Sequence, residues 1–192
     1  MISDLLHESQ GLMRPVTGRE ISALLNPRLA LLVSFCGKDG RPSAVTVAWH
    51  IPLSHEPPLV GISLRAGSFS QGSIQASGEF VINIVGPDFI DAVSVCGNTS
   101  GARVDKLAQA GLAVCPAGMV HPPIIEGALG CLECRVEEAI SMGDHVFYVG
   151  RVLQAKVQAQ AFDNAWDSTA GVGLLCLQRD RFGRYVDIKE NI

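Results

Sequence analysis

The chain has 192 residues, which suits one domain or one domain with embellishments. Hydrophobic residues make up 47%, charged residues 18% and aromatic residues only 6%, and the net charge is −4; with no block of Lys or Arg, this balance excludes a nucleic-acid surface. The mean hydropathy of +0.26 calls for a large core or a subunit interface.

The opening stretch, MISDLLHESQ, carries Asp4 and Glu8 where a signal peptide has positive charge, and no long apolar run follows. Residues 21–25 predict one short helical piece. Residues 28–36, RLALLVSFC, form a β-rich run bounded by Pro27 and Gly37 and predict a buried strand. GKDGRP is turn chemistry, strongest at Asp39-Gly40, and leads into a strand over 43–50, so the two strands make a hairpin. Residues 43–64 read as two strands joined by a short polar link, with Pro57-Pro58 opening the second. The small residues Ser43, Ala44, Thr46 and Ala48 leave space over the first of them. Another part of the protein, a second subunit or a ligand must fill it.

Ser68 followed three residues later by Gln71 matches a helix capping box, and Gly78 suits the stop. EFVINIV is a strand. Residues 88–96 and 103–111 are predicted helical, the second ending at Gly111. The longest uncharged stretch, 107–125, contains Pro116, Pro122, Pro123, Gly111 and Gly118, too many breakers for a membrane helix. Strands are predicted over 128–140 and 144–158, turning at Ser141, Gly143 and Asp144, and a last one runs through VGLLCLQ. Seven or so strands in hairpin succession, with few helices between them, predict a mainly β protein, an antiparallel barrel with small helices packed on it. The expected location is the cytoplasm, with the six cysteines as free thiols.

Several motifs fail on their surroundings. Cys131 and Cys134 have the C-x-x-C spacing of a metal or redox site. They lie on a predicted strand, however, and no second pair completes four ligands, so no metal is expected. His55-Glu56 starts like a zinc-protease motif, but Pro57 and Pro58 forbid the helix it needs. GKDG lacks the leading Gly and the Ser/Thr of a phosphate-binding loop.

Other clusters carry more. In SLRAGSFSQGSI a strand ends at Arg65, and a loop at Gly67 delivers Ser68 and Ser70 into the first turn of a helix. Free N–H groups, two hydroxyls, a guanidinium and the positive helix end make a phosphate site. An ordinary cap beside a solvated Arg fits the same residues. Asp105 and Lys106 begin a helix, as a solvated start or as part of a site. His145 opens a strand beside Gly143 and Asp144, as a ligand-facing group or as a half-buried strand residue. Trp49 and Trp166 read as packing residues.

GRPSAVTVAW, PPLVGISLRAGSFSQGSI, GEFVINI, SGARVDKL, GLAVCPAGMVHPPIIEG, LECRV and GDHVFYVGRV, in that order and spacing, resemble the flavin reductase-like family of FMN-binding split barrels, and its flavoredoxin-type branch, over residues 27–155. The resemblance implies an antiparallel split β-barrel over 27–192 behind an N-terminal extension of residues 1–26 that matches nothing in the family. It implies a homodimer with one FMN per subunit near the interface. The isoalloxazine ring would lie against Val45, Thr46, Val47, Ala48 and Trp49, whose backbone would bond the pyrimidine edge. Arg65, Ser68 and Ser70 would hold the phosphate. Ser100, Gly101 and Lys106 would lie close to the cofactor, within the subunit or across the dimer. His145 would stand near where the flavin meets its redox partner. Arg179, Asp180 and Arg181 depart from the glycine-rich turn that relatives carry there. The implied functions are an NAD(P)H-dependent flavin reductase, with NADH or NADPH as donor; a flavoredoxin-like carrier with fixed FMN and a protein redox partner; or a flavin-binding protein without enzymatic turnover. None involves nucleic acid or membrane.

Overall fold

The computed structural model describes residues 13–163, 165–166, 173–178 and 181–183. A short helix α1 (Arg19–Ala23) leads into β1 (Arg28–Leu29) and β2 (Leu31–Cys36). The run 28–36 is therefore broken at Ala30. Its buried N–H bonds the Leu174 carbonyl at 2.7 Å and turns the chain from one sheet into another. β1 pairs with β13 (Leu175–Gln178), which pairs with β14 (Arg181–Gly183).

The main body follows as β3 (Pro42–Val47), β4 (His50–Ser54), β5 (Leu59–Arg65), α2 (Phe69–Ser77), β6 (Glu79–Ile84), α3 (Ile90–Asn98), α4 (Lys106–Gln109), β9 (Gly130–Met142) and β10 (His145–Val157). Two small ribbons, β7 (Val114–Cys115) with β8 (Ile124–Ile125) and β11 (Phe162–Asp163) with β12 (Ala165–Trp166), lie outside the main sheet. That sheet has seven strands in the order β3-β2-β6-β9-β10-β5-β4, all antiparallel.

The end strands of this order, β3 and β4, are consecutive in the chain and separated only by Ala48 and Trp49. The sheet therefore curls until its two edges meet at that link, which makes an antiparallel split barrel. The reading of 43–64 as two strands is corrected to three. The break at Ala48-Trp49 carries the chain from one edge of the split to the other, and the Trp49 carbonyl accepts the Ser63 N–H at 2.9 Å on the far side.

β2 is buried on both faces, as its near-continuous apolar run predicts. Leu31, Val33 and Phe35 point into the barrel with Ile62, Ile74, Phe80 and Tyr148. Leu32 points outward into a second core, where it meets Ala44, Val93, Cys96, Leu107 and Ile125. So the space over Ala44 is filled by α3 and α4 of the same chain. Thr46 fixes this packing, its hydroxyl donating to the Val93 carbonyl at 2.5 Å. Buried Asn83 is satisfied on both sides: its amide donates to the Leu32 carbonyl at 3.0 Å, and its oxygen accepts the Ile125 N–H at 2.9 Å.

The capping box forms in a modified shape. The Ser68 hydroxyl accepts the Gln71 N–H at 3.2 Å, while the Gln71 side chain reaches back to the N–H of Gly67. Gly78 ends α2 at φ 70°, a conformation that favours glycine. No helix among the described residues is long and apolar enough to cross a membrane.

Candidate functional site

The split between the barrel edges opens into a cleft of about 510 Å³, within the usual range of about 300–1,000 Å³ for cofactor and ligand sites. One wall is β3 and the link after it, with Val45, Thr46, Val47, Ala48 and Trp49. As the end strand of the sheet, β3 leaves one row of backbone N–H and C=O groups without a strand partner. Val47 buries its side chain in the barrel core, so it offers the cleft its backbone. The Thr46 hydroxyl is likewise already engaged.

The opposite wall is the end of β5 and the start of α2, with Arg65, Ser68 and Ser70. The two hydroxyls lie 3.3 Å apart. The N–H groups of Phe69 and Ser70, in the first turn of α2, have no partner within the helix. The anion-binding arrangement expected from SLRAGSFSQ is thus assembled in space. Gly67 makes the turn at φ 73°.

The third side comes from the end of α3 and the start of α4, with Ser100, Gly101 and Lys106. A Cβ on Gly101 would sit 2.8 Å from the Phe69 ring and 2.9 Å from the Ser43 hydroxyl, so only glycine allows this approach. That Ser43 hydroxyl is buried and has no hydrogen-bond partner. Lys106 is 4% exposed. Its ammonium donates to the Cys96 carbonyl at 2.8 Å, and no carboxylate among the described residues pairs with it. Burial lowers its pKa from the ordinary lysine value, and the nearby Cys96 thiol opposes that shift weakly. Burial also pushes Cys96 up to about 11.

At the mouth stands His145. Its Nδ1 lies 2.7 Å from the Asp144 carboxylate, and its ring stacks on Trp49 with centroids 4.7 Å apart and planes 30° apart. The reading of Trp49 as a packing residue is corrected here: it is half exposed and ring-stacked. Trp166 does pack, edge-to-face on Phe162 at 5.3 Å. The hydrogen bond from His145, and then the charge of its imidazole, hold Asp144 below the usual carboxylate range. The Asp144 carboxylate engages Nδ1 and leaves the Nε2 edge of the ring for a ligand.

Every residue that the resemblance assigned to the site therefore lines one cleft; Asp105 does not, and its carboxylate caps α4 by accepting the Ala108 N–H at 3.1 Å. Ser63, Phe69, Cys96, Gly97 and Thr99 line it too and were not foreseen. The pattern that could have found them is positional, since each neighbours a foreseen residue by one to four places. Arg179 and Asp180 lie outside the described residues. Cys131 and Cys134 are buried on β9. The residue with chemistry in that stretch is Glu133, which sequence reasoning passed over. Fully buried, it accepts the N–H groups of Gly118 and Met119 and the Lys156 ammonium. Burial drives Glu133 upward, yet these donors together hold it below the ordinary glutamate value.

The donor set fits a flavin mononucleotide. The wall from β5 to α2 gathers a guanidinium, two hydroxyls and free amides for a phosphate, and Lys106 adds a second cation from the third side. The wall of β3 offers an edge-strand backbone, and the Trp49 and His145 rings an aromatic lip, for a flat heterocycle.

The chain is similar to known proteins in sequence and in fold. Residues 26–184 match the family model of the flavin reductase like domain. An uncharacterized protein of Archaeoglobus fulgidus is 31% identical over 113 residues, which cover 59% of this chain and 64%, a little under two thirds, of that one. A flavin reductase of Pseudomonas putida is 26% identical over 128 residues, covering 64% of this chain and 68% of the relative. The structure of an FMN-binding protein from Thermus thermophilus with bound p-hydroxybenzaldehyde superposes with a TM-score of 0.77 at 27% identity, covering 90% of this chain and 92% of that one.

Proposed function

The chain belongs to the flavin reductase-like family, and from that premise we propose that it holds FMN in the split of its barrel and catalyses the reduction of that flavin by NADH or NADPH. The observation that carries this reading is Lys106, a buried ammonium that faces the cleft with a single carbonyl for a partner. A buried charge without a counter-charge is costly, and an anionic ligand supplies the missing partner.

Arg65, Lys106, Ser68, Ser70 and the first amides of α2 hold the phosphate. The free edge of β3, through Val45, Thr46, Val47, Ala48 and Trp49, receives the ring and orients it with directional backbone bonds. Ser100 and Gly101 close the side over the ribityl chain. The bound flavin supplies the redox chemistry, accepting a hydride and passing electrons on. No catalytic acid or nucleophile from the chain is required. His145, oriented by Asp144 and Trp49, positions the donor at the mouth through the Nε2 edge of its ring. The Trp49 and His145 rings also shield the mouth from water.

The reading includes a two-fold dimer. Edge strand β4 exposes Ile51 (49%) and Leu53 (42%) on one face, next to Trp49 at the mouth, and a second copy would cover this apolar row and the cleft together. Light scattering that shows a monomer with FMN bound overturns the dimer.

The test of function is anaerobic mixing of the FMN-loaded protein with NADH and, separately, NADPH. Bleaching of the yellow flavin band by either supports a reductase. Reduction by dithionite but by neither nucleotide overturns it and favours an electron carrier served by a protein partner.

A further inference from the structure

A second cleft, of about 360 Å³, lies beside the mouth of the first and shares Ala48, Trp49, Arg65 and His145 with it as a common rim. Its far side is built by Arg19 and Ser22 of α1 and by Asn26, with Gln178 of β13 beside them. Arg19 and Ser22 precede the residues that match the family model. We propose that this cleft receives the reacting half of the nicotinamide nucleotide, and that Arg19 binds the phosphate next to the nicotinamide ribose. The inference rests on the first cleft being the flavin site.

Three observations carry it. The first is adjacency. Hydride transfer requires the reacting atoms to approach to about 3–3.5 Å. A donor must therefore reach the rim at Trp49 and His145, and the second cleft shares that rim with the first.

The second is charge. Arg19 and Arg65 face one carboxylate in this cleft, that of Asp144, and it is engaged by His145 at 2.7 Å. The acid next to Arg19 in sequence, Glu20, is taken by Arg14 at 2.6 Å. Arg19 forms no ion pair with any described residue, so its guanidinium is left for an occupant. A planar guanidinium suits a phosphate through paired hydrogen bonds.

The third is size and polarity. The volume is at the low end for a ligand cleft. It takes a nicotinamide, a ribose and a phosphate and leaves an adenosine outside. Ser22, Asn26 and Gln178 offer hydroxyl and amide groups to a ribose and a carboxamide. Arg19 therefore acts on NADH and NADPH alike, through the phosphate they share.

The experiment compares wild type with Arg19→Gln and Arg19→Lys, all loaded with FMN. Three donors are used: NADH, NADPH and 1-benzyl-1,4-dihydronicotinamide, which carries the same reacting ring and no phosphate. Arg19→Gln is expected to raise the KM for both nucleotides about tenfold or more, with a much smaller change in kcat. Arg19→Lys is expected to recover part of that loss. The effect is confined to donors that bear phosphate. Titration with NAD⁺, followed through the flavin absorption, gives a readout independent of turnover and is expected to show the same tenfold weakening, while the Kd for FMN is unchanged. An equal loss with the benzyl donor makes Arg19 a structural residue and overturns the proposal. An unchanged KM for both nucleotides also overturns it. If the wild type is reduced by dithionite and by none of the three donors, the failure lies in the reductase reading, and this inference falls with it.

Discussion

Arg65 and His145 stand directly opposite each other in the ladder between β5 and β10. One ladder position thus joins a guanidinium of the β5 wall to the imidazole at the mouth of the cleft. His145 is held by Asp144 on one side and by the Trp49 ring on the other, so its imidazole is pre-oriented. Replacing His145 by Ala is expected to slow reduction by NADH or NADPH about tenfold or more, about 1.4 kcal/mol. FMN affinity should change little. Stopped-flow reduction together with an FMN titration separates the two effects. An unchanged rate would leave His145 a strand residue, and a lost flavin would make it a binding residue.

The paired hydroxyls at the start of α2 predict that FMN binds more tightly than riboflavin. Each charge-assisted bond to phosphate contributes about 1.5–3 kcal/mol, so the two dissociation constants should differ at least tenfold. Ser70→Ala should narrow the gap by weakening FMN and leaving riboflavin as it was. Ser68→Ala is less clean, because Ser68 also caps the helix and its loss costs about 1 kcal/mol of stability. Equal affinities for the two flavins would remove the phosphate from this end of the cleft.

Lys106 gives a pH signature. Its folded pKa is depressed by burial, so between that value and the ordinary 10.5 the unfolded chain binds more protons than the folded one. The stability of the flavin-free protein should therefore rise with pH across that window. Lys106→Met should be more stable below the window and lack the Lys106 share of the rise. Bound FMN should also suppress it, since an adjacent phosphate keeps the ammonium charged. Urea unfolding of wild type and Lys106→Met at several pH values measures the difference. Parallel curves for the two proteins would place Lys106 in ordinary contact with water.

Within the stretch Cys131–Cys134, the weight lies on the acid between the thiols. Cys134 is fully buried and its pKa is pushed up to about 12, chiefly by burial, with Glu133 adding to the shift. Replacing both cysteines by Ala should cost about 1–3 kcal/mol through packing and leave flavin reduction intact. Replacing Glu133 by Ala should cost about 1–3 kcal/mol, since it removes the shared acceptor of two backbone amides and the Lys156 ammonium. The Glu133 contribution is present above the unfolded glutamate pKa and is lost as pH falls through the lower folded value. Denaturation of the two variants at neutral and acid pH tests the contrast. Stoichiometric zinc in the purified protein, or loss of electron transfer in the double cysteine variant with FMN still bound, would return chemistry to the thiols.

The elements legible in the sequence were those encoded locally. The β2–β3 hairpin followed from Asp39-Gly40, the helix α2 from Ser68, Gln71 and Gly78, and the β9–β10 hairpin from Gly143-Asp144. The candidate site was legible because its residues cluster at strand ends and helix starts, where turn chemistry and ligand chemistry use the same residue types. What escaped depends on distant partners. Nothing near Ala30 says that its N–H will bond Leu174. Nothing near Ala44 says that α3 and α4 will cover it. Glu133 reads as one more charge on a strand until residues 118, 119 and 156 are placed around it. The stacking of Trp49 on His145 joins residues that the chain alone sets 96 places apart (145 minus 49).

The meeting of β3 and β4 at Ala48-Trp49 has a consequence for the empty protein. Two sheet edges joined by two residues behave as a clasp with a fixed hinge: they can part away from the link but cannot separate at it. An open clasp shows two rows of unpaired backbone groups, a template for strand addition by other chains. A flavin seated between the edges occupies those groups and latches the clasp. Flavin-free protein is therefore expected to aggregate sooner than the loaded form, which light scattering of the two over time checks.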